Sequence, residues 1–402
     1  ILGRSIVLGT STEDIERVED RTTFSQTLES LHILQPPFAI AENENDTVKK
    51  ALTLGLPIIL RSSHVIGGRS MEIIYDVDYL AERARDVFTV SRNVLVSKYL
   101  ENAIEMDVDF VSDGSSYSIC GVLVHIEEAG VHSGDATMIY GPDVVNKKVR
   151  ERIERIVESL VKEFRLIGLS NLQIAVRGED VYVIELNARS SRSLPFISKA
   201  TGVDWVRLAV ECMMGSPLRP MRIEASSYFV KVSVFPFSKF QDMDVVFGPE
   251  MKSTGEAMYP GKTLPEALRK SLQKDVRSVL ITVRDEDKPR ILQEKGITIY
   301  ATAGTSIYLR DHGIKAQTLY RIRDRREPTI LDLLSSGAID MVINTTEMST
   351  GAVRDGFRIR RLCIMRGVPL IMNINLARAY ADSLGDVRLE YREISEYLRV
   401  EA

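Results

Sequence analysis

Asn171-Leu172-Gln173-Ile174-Ala175-Val176-Arg177-Gly178-Glu179-Asp180-Val181-Tyr182-Val183-Ile184-Glu185-Leu186-Asn187-Ala188-Arg189 reads as two strands joined by a tight turn. Apolar and β-branched residues fill both arms, and Gly178-Glu179-Asp180 closes them into a hairpin. Gln173 and Glu185 lie on the two arms, so their side chains can converge. Asn187 stands two positions beyond Glu185, on the same face if the strand continues, and Arg189 follows two further on. Three oxygen donors with one firm carboxylate suit Mg²⁺ held jointly with nucleotide phosphates. The arginine suits a transferring phosphoryl group, because that chemistry needs positioned cations more than nucleophiles. The same residues also read as a solvated strand end with incidental polar groups, and Glu-x-Asn-x-Arg is too short to choose between the two.

Working outward, residues 186–195 form a Ser- and Arg-rich loop directly after an apolar strand, and residues 203–214 read as a helix stopped by Gly215. Upstream, a helical pattern runs over 14–31 behind Ser11 and Thr12, and another over 45–54 ends at Gly55. A strand at 56–61, another at 71–75, a helix at 78–87 and a strand at 94–98 complete a small α+β lobe. A hairpin pairs 106–111 with 117–125 across Asp113-Gly114, and a charged helix covers 144–164. Beyond a boundary near Lys274, strand and helix alternate through 278–283, 289–294, 297–300, 306–312, 316–319, 330–335, 341–344 and 369–373. Such alternation predicts a parallel sheet. The fold expected is therefore mixed α/β and α+β. A two-lobed domain spans 1–274, with its small lobe at about 22–100 and a connecting segment at its end, and a small parallel-sheet α/β domain spans 275–402.

The chain's 402 residues suit two to three domains. A formal net charge of −4 supplies no broad basic field, so nucleic acid is not the expected partner. Local clusters such as Arg321, Arg323, Arg325, Arg326 and Arg358, Arg360, Arg361 can still hold small anions. No apolar run approaches the roughly 18 residues of a membrane span. The start at Ile1 lacks the flanks of a signal peptide and reads as the end of a strand whose partners lie in a longer chain. Cys120, Cys212 and Cys363 make no ligand spacing and suit buried thiols in a reducing, cytoplasmic setting.

Gly67-Gly68-Arg69 can act as a phosphate-covering loop or as an ordinary turn, and Arg61 adds a phosphate contact at a strand end. There is no P-loop sequence. His125, Glu127, Glu128, His132 and Asp135 match no zinc spacing and read as a polar loop lining a cleft. Ala301-Thr302-Ala303-Gly304-Thr305 follows a strand and opens a helix, and Asn344-Thr345-Thr346 ends another strand. Two such turns on one parallel sheet can face a common anion or serve only as caps.

Taken in order, the motifs resemble the C-terminal half of the carbamoyl-phosphate synthase large-subunit family over nearly the whole chain. The blocks that carry the resemblance are Glu19-Asp20-Arg21, Gly67-Gly68-Arg69-Ser70-Met71-Glu72-Ile73, Ala129-Gly130-Val131-His132-Ser133-Gly134-Asp135, Phe196-Ile197-Ser198-Lys199-Ala200-Thr201-Gly202-Val203 and Gly248-Pro249-Glu250-Met251. The resemblance implies an ATP-grasp domain followed by a methylglyoxal-synthase-like allosteric domain, together a ligase. Lys98, Tyr99 and Leu100 would line the adenine pocket, and Glu105 would accept the ribose hydroxyls. Arg61 with Gly67, Gly68 and Arg69 would hold phosphates, while Gly130, Val131, His132 and Ser133 would approach nucleotide and substrate. Gln173, Glu185 and Asn187 would bind Mg²⁺ or Mn²⁺, and Arg189 would stabilise the group transferred from ATP to carbamate.

Lys288, Thr302, Thr305, Arg321, Asn344 and Thr346 would bind a nucleotide monophosphate such as UMP. Glu127, Asp135 and Glu256 match ornithine-contacting positions, but Ile371-Met372 is apolar where a threonine would help, which speaks against ornithine activation. Ala188 replaces the usual proline, and Arg321 stands where lysine is common. The implied partners are the N-terminal half of the large subunit and a glutaminase small subunit, in pyrimidine and arginine synthesis. The competing readings are another ATP-grasp carboxylate ligase, such as a biotin carboxylase, and a non-catalytic nucleotide-binding fragment.

Overall fold

The computed structural model describes residues 7–62, 72–88, 93–236, 251–284, 287, 296–320, 328–345, 350–384 and 388–398. The chain divides into two compact units, one dominated by Ile1–Ser226 and the other by Ser227–Phe247 with Lys252–Tyr397.

The first unit opens with α1 (Thr12–Glu19) and α2 (Arg21–Ser30). The single helix expected over 14–31 is broken at Asp20, whose backbone is extended (φ −73°, ψ 109°) and whose carboxylate accepts the Thr23 N–H to cap α2. The break sets Arg21 at the first position of a new helix. A small lobe follows with β1 (Phe38–Ala41), α3 (Glu44–Leu54), β2 (Ile58–Ser62), β3 (Glu72–Ile74), α4 (Val77–Phe88) and β4 (Val94–Lys98). Its antiparallel sheet has the order β1-β4-β2-β3 around Ile58, Leu60, Ile74, Leu80 and Val96. The four-residue β1 is too short to show a period of its own, and the sequence reading missed it.

The large lobe contains β5 (Ile104–Asp113), β6 (Tyr117–His125), β7 (Met138–Tyr140), α5 (Lys147–Glu163), β8 (Ile167–Arg177), β9 (Asp180–Asn187), α6 (Leu194–Thr201) and α7 (Trp205–Met213). The five strands lie in the order β7-β6-β5-β8-β9, each antiparallel to the next. On α5, Val149, Ile153, Val157, Leu160 and Val161 recur at helical spacing and are buried. They share a core with Met106, Val108, Phe110, Leu172 and Ile174 on one face of the sheet. Each such side chain contributes roughly 1.5–3 kcal/mol by leaving water. Alternation then obliges Glu105, Asp107, Asp109, Asn171 and Gln173 to point from the other face. The end of the loop expected over 186–195 is in fact the start of α6, with Pro195 in its first turn.

The second unit begins with β10 (Tyr228–Val234) and β11 (Gly255–Gly261), an antiparallel pair, and then α8 (Leu264–Ser271). It continues with β12 (Ser278–Thr282), β13 (Thr298–Thr302), α9 (Ala303–Asp311), β14 (Gln317–Leu319), α10 (Ile330–Ser335), β15 (Met341–Asn344), α11 (Thr350–Arg366), β16 (Leu370–Ile371), α12 (Ile374–Ser383) and α13 (Ile394–Tyr397). Five parallel strands lie in the order β14-β13-β12-β15-β16, as the alternation predicts. The 17-residue α11 escaped the sequence reading because its arginines obscure a narrow buried stripe that includes Ile359 and Cys363. The segment expected at 289–294, the first helix of the alternation, lies outside the described residues.

The division of faces on β8 predicts contrasting effects for adjacent residues. Leu172→Ala should cost about 2–5 kcal/mol in urea unfolding, whereas Gln173→Ala should cost no more than about 1 kcal/mol, the worth of one hydrogen bond. Equal losses would contradict the assignment of the two faces.

Candidate active site

The hairpin of β8 and β9 does not pair regularly. From the turn, Arg177 meets Asp180, Val176 meets Val181, Ala175 meets Tyr182 and Ile174 meets Val183. Regular continuation would set Gln173 against Ile184 and place Glu185 on the core face. Instead the register shifts between Gln173 and Ile174, so that Gln173 faces Glu185 and Asn171 faces Asn187. Ile184 is the extra residue of a β-bulge, and its insertion reverses the direction of every side chain beyond it. Leu186 thereby enters the core, while Glu185 and Asn187 join the polar face.

On the neighbouring strand, Asp107 is opposite Gln173 and Asp109 is opposite Asn171. Two polar rows therefore cross three strands, Asp107–Gln173–Glu185 and Asp109–Asn171–Asn187. Arg21 secures the bulge: one guanidinium nitrogen donates to the Ile184 carbonyl at 3.0 Å, and the other meets Glu185 Oε2 at 2.9 Å. Arg61, at the end of β2, reaches the same carboxylate oxygen at 3.3 Å. Gln173 Nε2 donates to Ser133 Oγ at 3.0 Å, and Arg189 donates to Asn187 Oδ1 at 3.0 Å while remaining exposed. Strand register thus brings Gln173, Glu185 and Asn187, with their partners Ser133, Arg61 and Arg189, to one face of the sheet, and the structure adds Arg21. Arg21 belongs to the Glu19-Asp20-Arg21 block, and its place as the first residue of a capped helix is the sequence signal for it.

Lys98 turns its ammonium to the carbonyls of Gly55 and Leu56, 2.9 Å from each, so any adenine contact falls to the backbone here. Leu100 packs with Ala103, Ala175, Tyr182 and Ile184 in a separate apolar cluster. The Tyr99 hydroxyl donates to the Ala129 carbonyl at 2.8 Å. Glu105 accepts the Gly130 N–H at 3.1 Å, and burial raises its pKa against the opposing pull of His125. Gly130 has φ +96°, and a Cβ there would come within 2.7 Å of Ile73 on β3, so only glycine suits this approach to the small lobe. His132 Nδ1 accepts the Gly134 N–H at 3.0 Å, and burial lowers the pKa of its imidazole.

His125 lies between Glu105 and Asp107, 3.6 Å from each. Burial alone would lower its pKa, but Asp107 and then the two glutamates Glu105 and Glu127 outweigh that and raise it. Among the described residues, no group of three or more His, Cys, Asp and Glu side chains is arranged to hold a metal ion. Gly67, Gly68 and Arg69 lie outside the described residues.

In the second unit, Thr302 ends β13 and precedes α9 without capping it; its hydroxyl lies 3.4 Å from that of Thr305. Asn344 ends β15 and accepts from Arg360 at 2.9 Å, a guanidinium only 2% exposed that the sequence reading had noted as part of a cluster. β12 lies between β13 and β15, so both turns emerge at the same edge of the sheet. Lys288, Arg321 and Thr346 lie outside the described residues.

Asp109 provides a pH test. Burial raises its carboxyl pKa to about 6, against the opposing hydrogen bonds of Ser191 and Ser193, while an unfolded aspartate titrates near ~3.9. The folded state therefore holds the extra proton, and its contribution is complete below the unfolded pKa and lost as pH rises through 6. The melting temperature of the wild type relative to Asp109→Asn should fall as pH rises from about 4.5 to 7. A difference that stays flat over this range would contradict the shift.

Residues 20–221 match the family model for the carbamoyl-phosphate synthase L chain, ATP binding domain, and residues 289–372 match the MGS-like domain. The carbamoyl phosphate synthase large chain of Thermoplasma acidophilum is 77% identical over the whole chain, that of Thermoplasma volcanium 60% identical over 99% of it, and that of Pasteurella multocida 40% identical over 94%. The chain spans 39% of the length of each Thermoplasma relative. Among solved structures, the biotin carboxylase of Campylobacter jejuni has a TM-score of 0.56 at 14% identity, covering 66% of this chain and 67% of that one. The biotin carboxylase domain of Hydrogenobacter thermophilus 2-oxoglutarate carboxylase has a TM-score of 0.54 at 16% identity, with the same coverage. These two likenesses speak for the fold alone. With its model matched across the bulged hairpin and both polar rows, the chain belongs to the carbamoyl-phosphate synthase large-chain family, carrying its ATP-grasp, ATP-binding domain and, after it, an MGS-like domain.

Proposed function

We propose that the first unit binds Mg²⁺·ATP, or its Mn²⁺ equivalent, and phosphorylates carbamate to carbamoyl phosphate. The observation that carries this reading is the convergence of Gln173, Glu185 and Asn187 on one face, with Arg21 and Arg61 on the Glu185 carboxylate. One carboxylate and two side-chain amides are hard oxygen donors, the set that fits Mg²⁺ or Mn²⁺. Gln173, Glu185 and Asn187 would hold such a metal, which would supply positive charge to offset the charge that develops on the transferred group. Arg21 and Arg61 bring two cations to the place where phosphates would share the carboxylate's metal. Arg189, exposed at the end of the second row and bonded to Asn187 and the Ser190 carbonyl, would turn its guanidinium to the transferred group. Backbone at 98–100 and the apolar cluster around Leu100 would take the adenine, with Glu105 on the ribose and residues 130–133 over the nucleotide and substrate.

Family membership supports carbamate over other carboxylates as the acceptor. Because the chain spans 39% of the Thermoplasma relatives' length, synthesis from simpler precursors would draw on the remainder of the large chain and on a glutaminase partner, in a cytoplasmic pathway to pyrimidines and arginine. We assign the MGS-like domain an allosteric role, with Thr302, Thr305 and Asn344, together with Lys288, Arg321 and Thr346, receiving UMP or a similar monophosphate.

The decisive experiment runs the reaction backward, measuring ATP formed from carbamoyl phosphate and Mg²⁺·ADP. ATP formation is expected, with a loss of roughly a hundredfold or more in Glu185→Ala at unchanged circular dichroism. A variant with normal turnover would refute the metal assignment. ADP binding without ATP formation would instead favour a nucleotide-binding piece that needs the rest of the large chain. Thr302→Ala should weaken UMP binding by about tenfold, one charged hydrogen bond, and leave ATP binding unchanged. Calorimetry giving equal UMP affinities would remove that site.

A further inference from the structure

Asp109 touches none of the residues assigned above to metal or nucleotide, yet it is a buried carboxylate of the polar face that accepts three side-chain hydrogen bonds. It is 1% exposed on β5. Its Oδ1 accepts from Asn171 Nδ2 at 3.0 Å and Ser191 Oγ at 2.6 Å, and its Oδ2 accepts from Ser193 Oγ at 2.6 Å. The two serine hydroxyls are themselves 2.9 Å apart. Asn171 is the cross-strand partner of Asn187. Ser191 and Ser193 sit on the chain that leaves β9 through Asn187, Ala188 and Arg189. One buried carboxylate therefore ties both flanks of the Asn187–Arg189 segment.

Two further features show that the local sequence is committed to this tie. Ser193 occupies the N-cap position of α6, where a serine hydroxyl ordinarily accepts a helix N–H, but it makes no capping bond, and its backbone is helical (φ −70°, ψ −17°). Its hydroxyl is directed to Asp109 instead. Gly121, opposite Asp109 on β6, has no side chain, and a Cβ there would lie 2.5 Å from Ile197 Cδ1 of α6. The missing side chain lets α6 settle onto the sheet, which brings Ser193 within reach of Asp109.

We infer that Asp109 is the positioning residue for the segment from Asn187 to Ser193, fixing Asn187 and Arg189 where metal and phosphoryl group are handled. The inference rests on the phosphoryl-transfer reading for what the segment does, and on geometry alone for what holds it. Asp109 acts through Ser191, Ser193 and Asn171 and contacts no ligand.

The test uses the whole chain with Asp109→Asn, the double variant Ser191→Ala/Ser193→Ala and the conservative Ser193→Thr. Arg189 and Arg192 place two trypsin sites inside the segment, so cleavage there, followed by mass spectrometry, reports its anchorage directly. ADP affinity with and without Mg²⁺, by calorimetry, reports whether the metal donors are in place. In Asp109→Asn and in the double variant, both bonds should be cut about tenfold faster and the Mg²⁺-dependent gain in ADP affinity should fall about tenfold, the effect of losing one charged hydrogen bond. Mg²⁺-free ADP affinity should be unchanged, and Ser193→Thr should keep the wild-type values. Wild-type cleavage rates in both disrupting variants, or an intact Mg²⁺ gain despite faster cleavage, would overturn the proposal. A wild-type chain whose ADP affinity ignores Mg²⁺ would instead sink the reading of the site, while the cleavage rates still decide whether Asp109 anchors the segment.

Discussion

A single inserted residue, Ile184, governs the chemistry of the first unit. Strand side chains alternate, and the core claims Val181, Val183 and Leu186 of β9. Odd and even positions cannot both face the core unless one residue is left out of the pairing between them. The bulge does this, and by reversing the alternation it moves Glu185 and Asn187 to the face that already holds Gln173 and Asn171. A bulge displaces a backbone carbonyl from the ladder, and Arg21 accounts for that group at 3.0 Å. The same arginine meets the Glu185 carboxylate, so local backbone repair and site electrostatics share one side chain.

The polar face concentrates groups that burial makes costly unless they are paired. Asp109 is satisfied by three hydrogen bonds, and His125 lies between two carboxylates. Their burial comes from the loops and α6 that cover the sheet. Such groups are expensive as structure and useful as a preorganised surface, which is why they collect on the side of the sheet away from α5.

Element types in the parallel-sheet domain were legible because buried strands and amphipathic helices differ in length and period, and the strand at 341–344 and the helix at 330–335 coincide with β15 and α10. The break at Asp20 was not, because Asp is as compatible with the exposed side of one helix as with the cap of the next. Nor was α6 distinguished from the loop before it, since Ser193 sits where a cap is expected but serves a carboxylate more than eighty residues away. The α11 helix was hidden by arginines such as Arg360, a buried one whose partner is Asn344 on another element.

The sequence by itself determined the two domain types, the polar residue types of the candidate site, and the family to which its longer blocks point. The domain types follow from periodicity and spacing, and the family from the resemblance of its longer blocks, all local properties of the chain. Only the tertiary structure decided that Glu185 faces Gln173 rather than the core, that Arg21 and Arg61 share its carboxylate, and that Asp109 holds the segment beyond Asn187. Each of these depends on register or on contact between distant segments. A one-residue change in pairing reverses a face without altering any local propensity, so no reading of β9 alone could have placed its carboxylate.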